Sequence, residues 1–373
     1  MPEADWLAPQ PLDAARALPP RCYTDAAFEA IDRDAVFARG WQLVAHAAQV
    51  AQRGDHALAQ IGRVPLLVVR GEDGALRALH NVCRHRAGPL ATCDGRGAAA
   101  LTCRYHGWTY ALDGQLRGAP GMGRAPGFDP AAIRLPAARI AQWQGLVFAA
   151  LADDAPAFED VVAGIDARLP RQIERHAFDR RVSYEVACNW KVYVDNYLEG
   201  YHVPDVHPRL ASALDTAQYV TRTARWHSLQ SSPLAGAAPY GAGEVLYYFL
   251  YPNTMLNCLP GRLQTNRVVP LGVDRCRVDF DYFYAAEVSD AQRADDQRFS
   301  DAVQREDIAI CEAVQRGLAS GSYVPGRLNP QAESGVHHFH ELLRADYRGA
   351  AKSIPDVQVT RGPRTRRAGR RGP

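Results

Sequence analysis

The chain has 373 residues, 47% of them hydrophobic and 23% charged, with a formal charge of +2, an ordinary globular composition with enough length for two cores. It contains no run of eighteen apolar residues, and its N-terminus lacks a charged segment followed by an apolar one. That pattern argues against a membrane span or a secretory leader and predicts a cytoplasmic protein.

In chain order, residues 1–40 read as an N-terminal arm with a helix over "DAAFEAIDRDAVFARG", closed by Gly40. Residues 41–151 change to short β-type runs such as "PLLVVR" and "GLVFAAL", punctuated by the Gly and Asp-Gly turns "GEDG" and "LDGQ". This predicts a small antiparallel β domain. Residues 152–350 are mixed: helices near 157–178 and 189–202, strands around "VLYYFLYPNTMLNCL" and "RCRVDFDYFYAAE", and a long helix near 289–319. The last segment, 351–373, is rich in Arg, Gly and Pro and reads as a disordered tail. Without the six arginines after residue 360 the rest is mildly acidic, so no polyanion-binding surface is expected and nucleic acid is not a predicted partner. No glycine-rich nucleotide fingerprint occurs in strand-to-helix context, so electrons from NAD(P)H must arrive through another protein.

The β domain carries the strongest chemical signal. "CRHRAGPL" pairs Cys83 with His85, and "CRYHGWTYALDGQLRGAP" pairs Cys103 with His106. A structural zinc site usually takes like ligands in pairs, C-x(2 to 4)-C and then a second pair. Here each loop offers one thiolate and one imidazole. That division suits a Rieske [2Fe-2S] centre, in which two cysteines hold one iron and two histidines the other. Cys93 is a spare thiol between the loops, His46, His56 and His80 read as packing residues, and the remaining cysteines read as buried apolar groups.

In the second domain, "CNWKVYVDNYLEGYHVPDVHP" has the next cluster of candidate ligands. On a helix over 189–202, Asp195, Glu199 and His202 share a stripe, and Pro204 and Pro208 break the helix so that His207 converges with His202. Two histidines and a carboxylate with open positions form the ligand set of non-haem Fe(II) oxygenases. The late helix supplies the carboxylate. Asp307 falls on its apolar stripe of Val303, Ile310, Val314 and Leu318, whereas Glu306 sits about 100° away and reads as solvated. A carboxylate facing the core must be metal-bound or paired, for example with a buried arginine.

These motifs closely resemble the catalytic α subunit of the Rieske non-haem iron, or aromatic-ring-hydroxylating, oxygenases, over about residues 20–350. The resemblance implies an α+β protein: a small antiparallel β Rieske domain, then a helix-grip-like α+β catalytic domain built on an antiparallel sheet. It further implies a cluster on Cys83, His85, Cys103 and His106, and a mononuclear Fe(II) on His202, His207 and Asp307. Members form head-to-tail homotrimers, in which Glu199 would bridge His202 to His106 of the adjacent chain. Asp195 takes the place of a polar residue near the iron. A separate flavin or iron-sulfur reductase, O2 and a small-molecule substrate complete the expected system.

Ring dioxygenases usually carry aspartate at the bridge. Glutamate in "LEGYHVPDVHP" is more similar to the choline, carnitine and glycine-betaine branch. That implies hydroxylation or demethylation of a quaternary or N-methyl amine. Two alternatives stay open: a cis-diol-forming ring dioxygenase with a β subunit, and a Rieske electron carrier without oxygenase activity. The aromatic strand "VLYYFLYPN" reads as core or pocket wall, and His337, His338 and His340 as pocket or interface residues that pack and do not catalyse.

Overall fold

Asp25 starts the first substantial helix as its sequence implies, its side chain accepting from the backbone of Ala27 at 2.9 Å. After the single turn α1 (Arg21–Thr24), helix α2 (Ala26–Ile31) widens into a π-helical segment, Asp32–Phe37, and Gly40 N–H closes on Val36 O. The computed structural model of the chain describes residues 6–169, 173–235 and 241–351. Of the arginine-rich tail predicted over 351–373, all but Ala351, which ends the last helix, therefore lies outside the described residues.

Residues 42–150 form a six-stranded antiparallel sheet in the order β1-β9-β8-β4-β3-β2: β1 Gln42–His46, β2 His56–Ile61, β3 Val64–Arg70, β4 Leu76–His80, β8 Ala137–Trp143 and β9 Leu146–Ala150. A three-stranded sheet, β5 (Leu101–Thr102), β6 (Thr109–Tyr110) and β7 (Leu116–Gly118), is inserted between β4 and β8. It supports the two Cys-His loops.

The second sheet has seven strands, all antiparallel, in the order β10-β16-β15-β14-β13-β12-β11. They are β10 Ala177–Val186, β11 Val220–Thr223, β12 His227–Pro233, β13 Glu244–Leu250, β14 Thr254–Leu259, β15 Arg262–Gly272 and β16 Arg275–Tyr284. The antiparallel α+β class expected from the sequence is therefore the one observed. The two sheets share apolar packing: Trp41, Leu43 and Phe148 join Leu229, Leu246 and Leu256 in one cluster. Among the described residues no helix is long and apolar enough to cross a membrane.

Several helices differ from expectation. Among the described residues of 157–178 there is one four-residue turn of α-helix, α3 (Phe158–Val161), and a 3-10 turn, Ile173–Arg175, before β10 begins. Helix α4 spans Trp190–Tyr197, stopping short of His202. The chain turns at Gly200, where a Cβ would lie 2.7 Å from the Tyr219 ring, so the sharp approach needs glycine. The two prolines start helices where the sequence reading had them end one. Pro204 lies in the first turn of α5 (Val203–Val206) and Pro208 opens α6 (Pro208–Ala213), positions where the missing N–H costs nothing.

Helix α7 (Asp290–Ala319) matches its predicted span and has a capping box between Ser289 and Gln292. Its buried face is polar, however: Asp296, Gln304, Cys311 and Gln315 are inside while Val314 is 44% exposed. The last helix, α8 (Ser334–Ala351), lies over β11 and β12.

Candidate metal centres

The two Cys-His loops are built alike. In the first, Cys83 N–H bonds Gly88 O at 2.9 Å and Ala87 N–H bonds Cys83 O at 3.0 Å; in the second, Cys103 N–H bonds Trp108 O at 2.9 Å and Gly107 N–H bonds Cys103 O at 3.0 Å. Ala87 and Gly107 occupy equivalent left-handed positions, φ 57° and 72°. Gly88 is needed because a Cβ there would lie 2.8 Å from Cys103 Sγ.

The cysteines are buried, at 3% and 2% exposure, while His85 is exposed and His106 half-buried. The two Nδ1 atoms face each other at 3.1 Å, and His85 stacks on Trp108 with ring centroids 4.8 Å apart. Tyr110 OH lies 3.3 Å from Cys83 Sγ and accepts from Arg84 N–H at 3.0 Å.

Among the described residues, His202, His207 and Asp307 are the group of three such residues whose ligand atoms all lie within 4.8 Å of one another. A paired, inside-and-outside donor set fits a bridged two-iron cluster better than one tetrahedral ion.

The second centre sits where α4, the α5–α6 turns and α7 meet the seven-stranded sheet. His207 Nε2 lies 3.0 Å and His202 Nε2 4.0 Å from the same oxygen, Asp307 Oδ1. Each imidazole has its other nitrogen held by a glutamate: His202 Nδ1 to Glu199 Oε1 at 2.6 Å and His207 Nδ1 to Glu306 Oε2 at 2.7 Å. Carboxylates at both Nδ1 atoms leave both Nε2 atoms aimed at one point, the orientation a metal-binding histidine requires.

Glu199 is itself fixed, because its Oε2 accepts from the backbone N–H groups of Tyr201 and His202. Asn196 Nδ2 donates to Asp307 Oδ1 at 2.6 Å. Burial alone would lower the His207 pKa, but hydrogen bonds and charge from Asp307 and Glu306 outweigh it and raise it above the ordinary value. A site this rich in carboxylate charge attracts a cation, and a bound dication displaces that proton. The donor set of two imidazoles and one carboxylate suits Fe(II).

The trio opens into a cavity of about 120 Å³ whose lining includes Tyr193, Tyr197, Tyr219 and Tyr247. Strand β13 divides its side chains: Val245 and Tyr247 face the cavity while Leu246 and Tyr248 join the core, so both readings of the aromatic strand apply to alternate residues.

Asp195 does not take part in this centre. It faces another side of α4, accepting from Tyr23 OH at 2.7 Å and contacting His340 Nε2 at 2.9 Å. Asn196, one residue and about 100° further round the helix, is the polar neighbour of the trio instead. Glu306 was read as solvated; although 39% of its side chain is exposed, it reaches His207. Neither partner was visible in the local pattern, since each contact joins segments about a hundred residues apart. Of the three late histidines, His340 is buried against Asp195 and His337 bonds Gln10 O at 2.7 Å; neither lines the cavity.

Residues 40–135 match the model of the Rieske [2Fe-2S] domain, and residues 173–349 that of the ring hydroxylating alpha subunit catalytic domain. The chain is 36% identical to the chloroplastic choline monooxygenase of Arabidopsis thaliana, over 89% of this chain and 83% of that protein. It is 30% identical to the carnitine monooxygenase oxygenase subunit of Escherichia coli K12, over 92% and 96% respectively.

Among solved structures, a quaternary ammonium Rieske monooxygenase active in carnitine oxidation superposes with a TM-score of 0.84 at 27% identity, covering 91% of this chain and 99% of that one. Naphthalene 1,2-dioxygenase from Rhodococcus shares the fold, with a TM-score of 0.74 at 18% identity over 88% of this chain and 94% of that one. The chain therefore belongs to the Rieske ring-hydroxylating oxygenases, O2-using oxidoreductases that carry a [2Fe-2S] cluster and a mononuclear iron.

Proposed function

We propose that this oxygenase hydroxylates a small quaternary or N-methyl amine, with electrons supplied by a separate flavin or iron-sulfur reductase. The observation that carries the reading is that the His202, His207 and Asp307 trio and four tyrosines line one cavity. Burial pushes the Tyr197 and Tyr219 phenols well above their ordinary range and Tyr247 to about 12, so all three stay uncharged. The Tyr197 hydroxyl donates to Asn257 Oδ1 at 2.6 Å and that of Tyr219 to Gln230 Oε1 at 3.0 Å. With those hydroxyls tied back, the ring faces are rigid, and a desolvated cation gains up to about 2 kcal/mol from each suitable face.

Cys83, His85, Cys103 and His106 would hold the cluster, and His202, His207 and Asp307 the mononuclear iron. Bound there, the iron supplies O2 activation fed by electrons that pass one at a time through the cluster. The chain's own residues do the positioning: Glu199 and Glu306 set the imidazole orientation, Asn196 holds the carboxylate, and the tyrosines hold a methylated cation beside the metal.

Glu199 is also the proposed link between centres in a head-to-tail homotrimer. A carboxylate has about four acceptor sites, and Glu199 uses Oε2 on two backbone donors and one site of Oε1 on His202. One Oε1 site is left for His106 of the partner subunit.

Anaerobically purified protein should contain about three irons per two acid-labile sulfides and give a Rieske-type EPR signal after dithionite reduction. With a surrogate reductase, quaternary amines should consume O2 and yield aldehyde or demethylated amine. Zinc without sulfide, or turnover confined to neutral aromatic substrates, would reject the proposal.

A further inference from the structure

Three of the four cavity tyrosines have their hydroxyls committed to the protein. Tyr193 OH donates to Gln304 Oε1 at 2.6 Å, Tyr197 OH to Asn257 Oδ1 at 2.6 Å and Tyr219 OH to Gln230 Oε1 at 3.0 Å. The polar end of the cavity is occupied with itself in the same way: Arg262 donates to Asp296 and to Gln264, and Gln264 Nε2 donates to Asn266 Oδ1 at 2.7 Å.

Tyr247 is different. It lines the cavity from β13, its ring centroid 6.4 Å from that of Tyr197 and its phenol within range of the charges on Arg262 and Asp296. Among the described residues its hydroxyl has no hydrogen-bond partner, yet, unlike the amide nitrogen of Gln304, its oxygen retains accessible surface. That surface belongs to the cavity and not to bulk solvent, because burial pushes the phenol to about 12 against the pull of the Arg262 charge. The group is therefore a protonated donor that opens on the cavity. A ligand that displaces the cavity water without offering an acceptor leaves this donor unmade, which costs affinity.

We propose that Tyr247 is a specificity-determining residue of this oxygenase, its hydroxyl donating to an acceptor oxygen on the unmethylated arm of an ammonium substrate. This rests on the methylated-amine reading and deepens it: the ring faces hold the cation, and one hydroxyl tells an oxygen-bearing arm from its hydrocarbon analogue.

The test is calorimetric binding of four ligands to the oxidised holoprotein, without reductant: choline, glycine betaine, the deoxy analogue ethyltrimethylammonium, and the uncharged choline isostere bearing a tert-butyl group. Wild type should bind choline, glycine betaine or both about tenfold more tightly than the deoxy analogue; the ligand preferred shows whether the oxygen is that of a hydroxyl or a carboxylate. Tyr247→Phe should lose that preference and keep the wild-type affinity for the deoxy analogue. Because the hydroxyl holds no other side chain, the variant should also unfold at the wild-type temperature with its cluster spectrum intact. No preference in wild type, a preference that survives the substitution, an equal loss for the deoxy analogue, or a variant that fails to fold would each overturn the proposal. Equal wild-type affinity for choline and the tert-butyl isostere would reject the ammonium reading; the Tyr247 contact then stands if the isostere binds about tenfold more weakly to Tyr247→Phe, and falls if it does not. Binding of none of the four would overturn both.

Discussion

Truncating Glu306 to alanine should weaken retention of the mononuclear iron without disturbing the cluster. The side chain holds His207 Nδ1 at 2.7 Å, and outer carboxylates of this kind are typically worth 10- to 100-fold in metal affinity. Two features select a value in that range. The Glu306 side chain is 39% exposed, so water competes for its oxygens, and solvent can enter the space that its truncation leaves beside His207, itself only 1% exposed. The lower half of the range follows, about 10- to 30-fold, or roughly 1.4 to 2 kcal/mol. Glu306→Gln keeps a neutral acceptor and should lose less than half of that free energy.

Anaerobic competition against a ferrous chelator measures the affinity, with acid-labile sulfide and the cluster absorbance as internal standards. Glu306→Ala affinity within twofold of wild type would refute the reasoning, as would a parallel loss of sulfide.

Three further outcomes are expected. Tyr110→Phe removes the hydroxyl 3.3 Å from Cys83 Sγ; hydrogen bonds to cluster sulfurs raise the potential, so voltammetry should show a lower midpoint, and an unchanged one would show that the contact is electrically silent. Lys191 and Asp32 form a buried ion pair, and Asp32 also accepts from Trp190 and Tyr347. Lys191→Met leaves an uncompensated charge and should cost about 3 to 5 kcal/mol in urea unfolding; a loss below about 1 kcal/mol would contradict this. Burial, with Asp32 nearby, raises the Asp346 pKa from 3.8 to about 6. The folded state then holds the proton more tightly, so the contribution of Asp346 to stability should be full below about pH 4 and fall by up to about 3 kcal/mol as pH rises through 6. Asp346→Asn should flatten that interval in pH-dependent unfolding, and an unaltered slope would remove Asp346 as its source.

Both sheets, the two Cys-His loops and the long late helix were legible in the sequence for a common reason. Their signals are local: turn glycines beside β-branched runs, two ligands within four residues, a Ser-x-x-Gln cap before thirty helical residues. His202 and His207 belong to the same class, since five residues across a proline turn bring them together whatever else the chain does.

Which side chains complete those local units was decided by elements that meet only on folding. Asp195 and Asn196 are neighbours on α4, yet α8 and the N-terminal arm take one and α7 takes the other. Helical periodicity identifies a face but not what lies against it. The α7 stripe shows the same limit: its inward face holds Asp296, Gln304 and Asp307 because a polar cavity wall and a metal-type trio await it, and an apolar stripe was the wrong guide to burial there. Chemistry encoded within one turn of chain was therefore set by the sequence alone, whereas the carboxylate behind His207 acquired its role only through packing across the cavity.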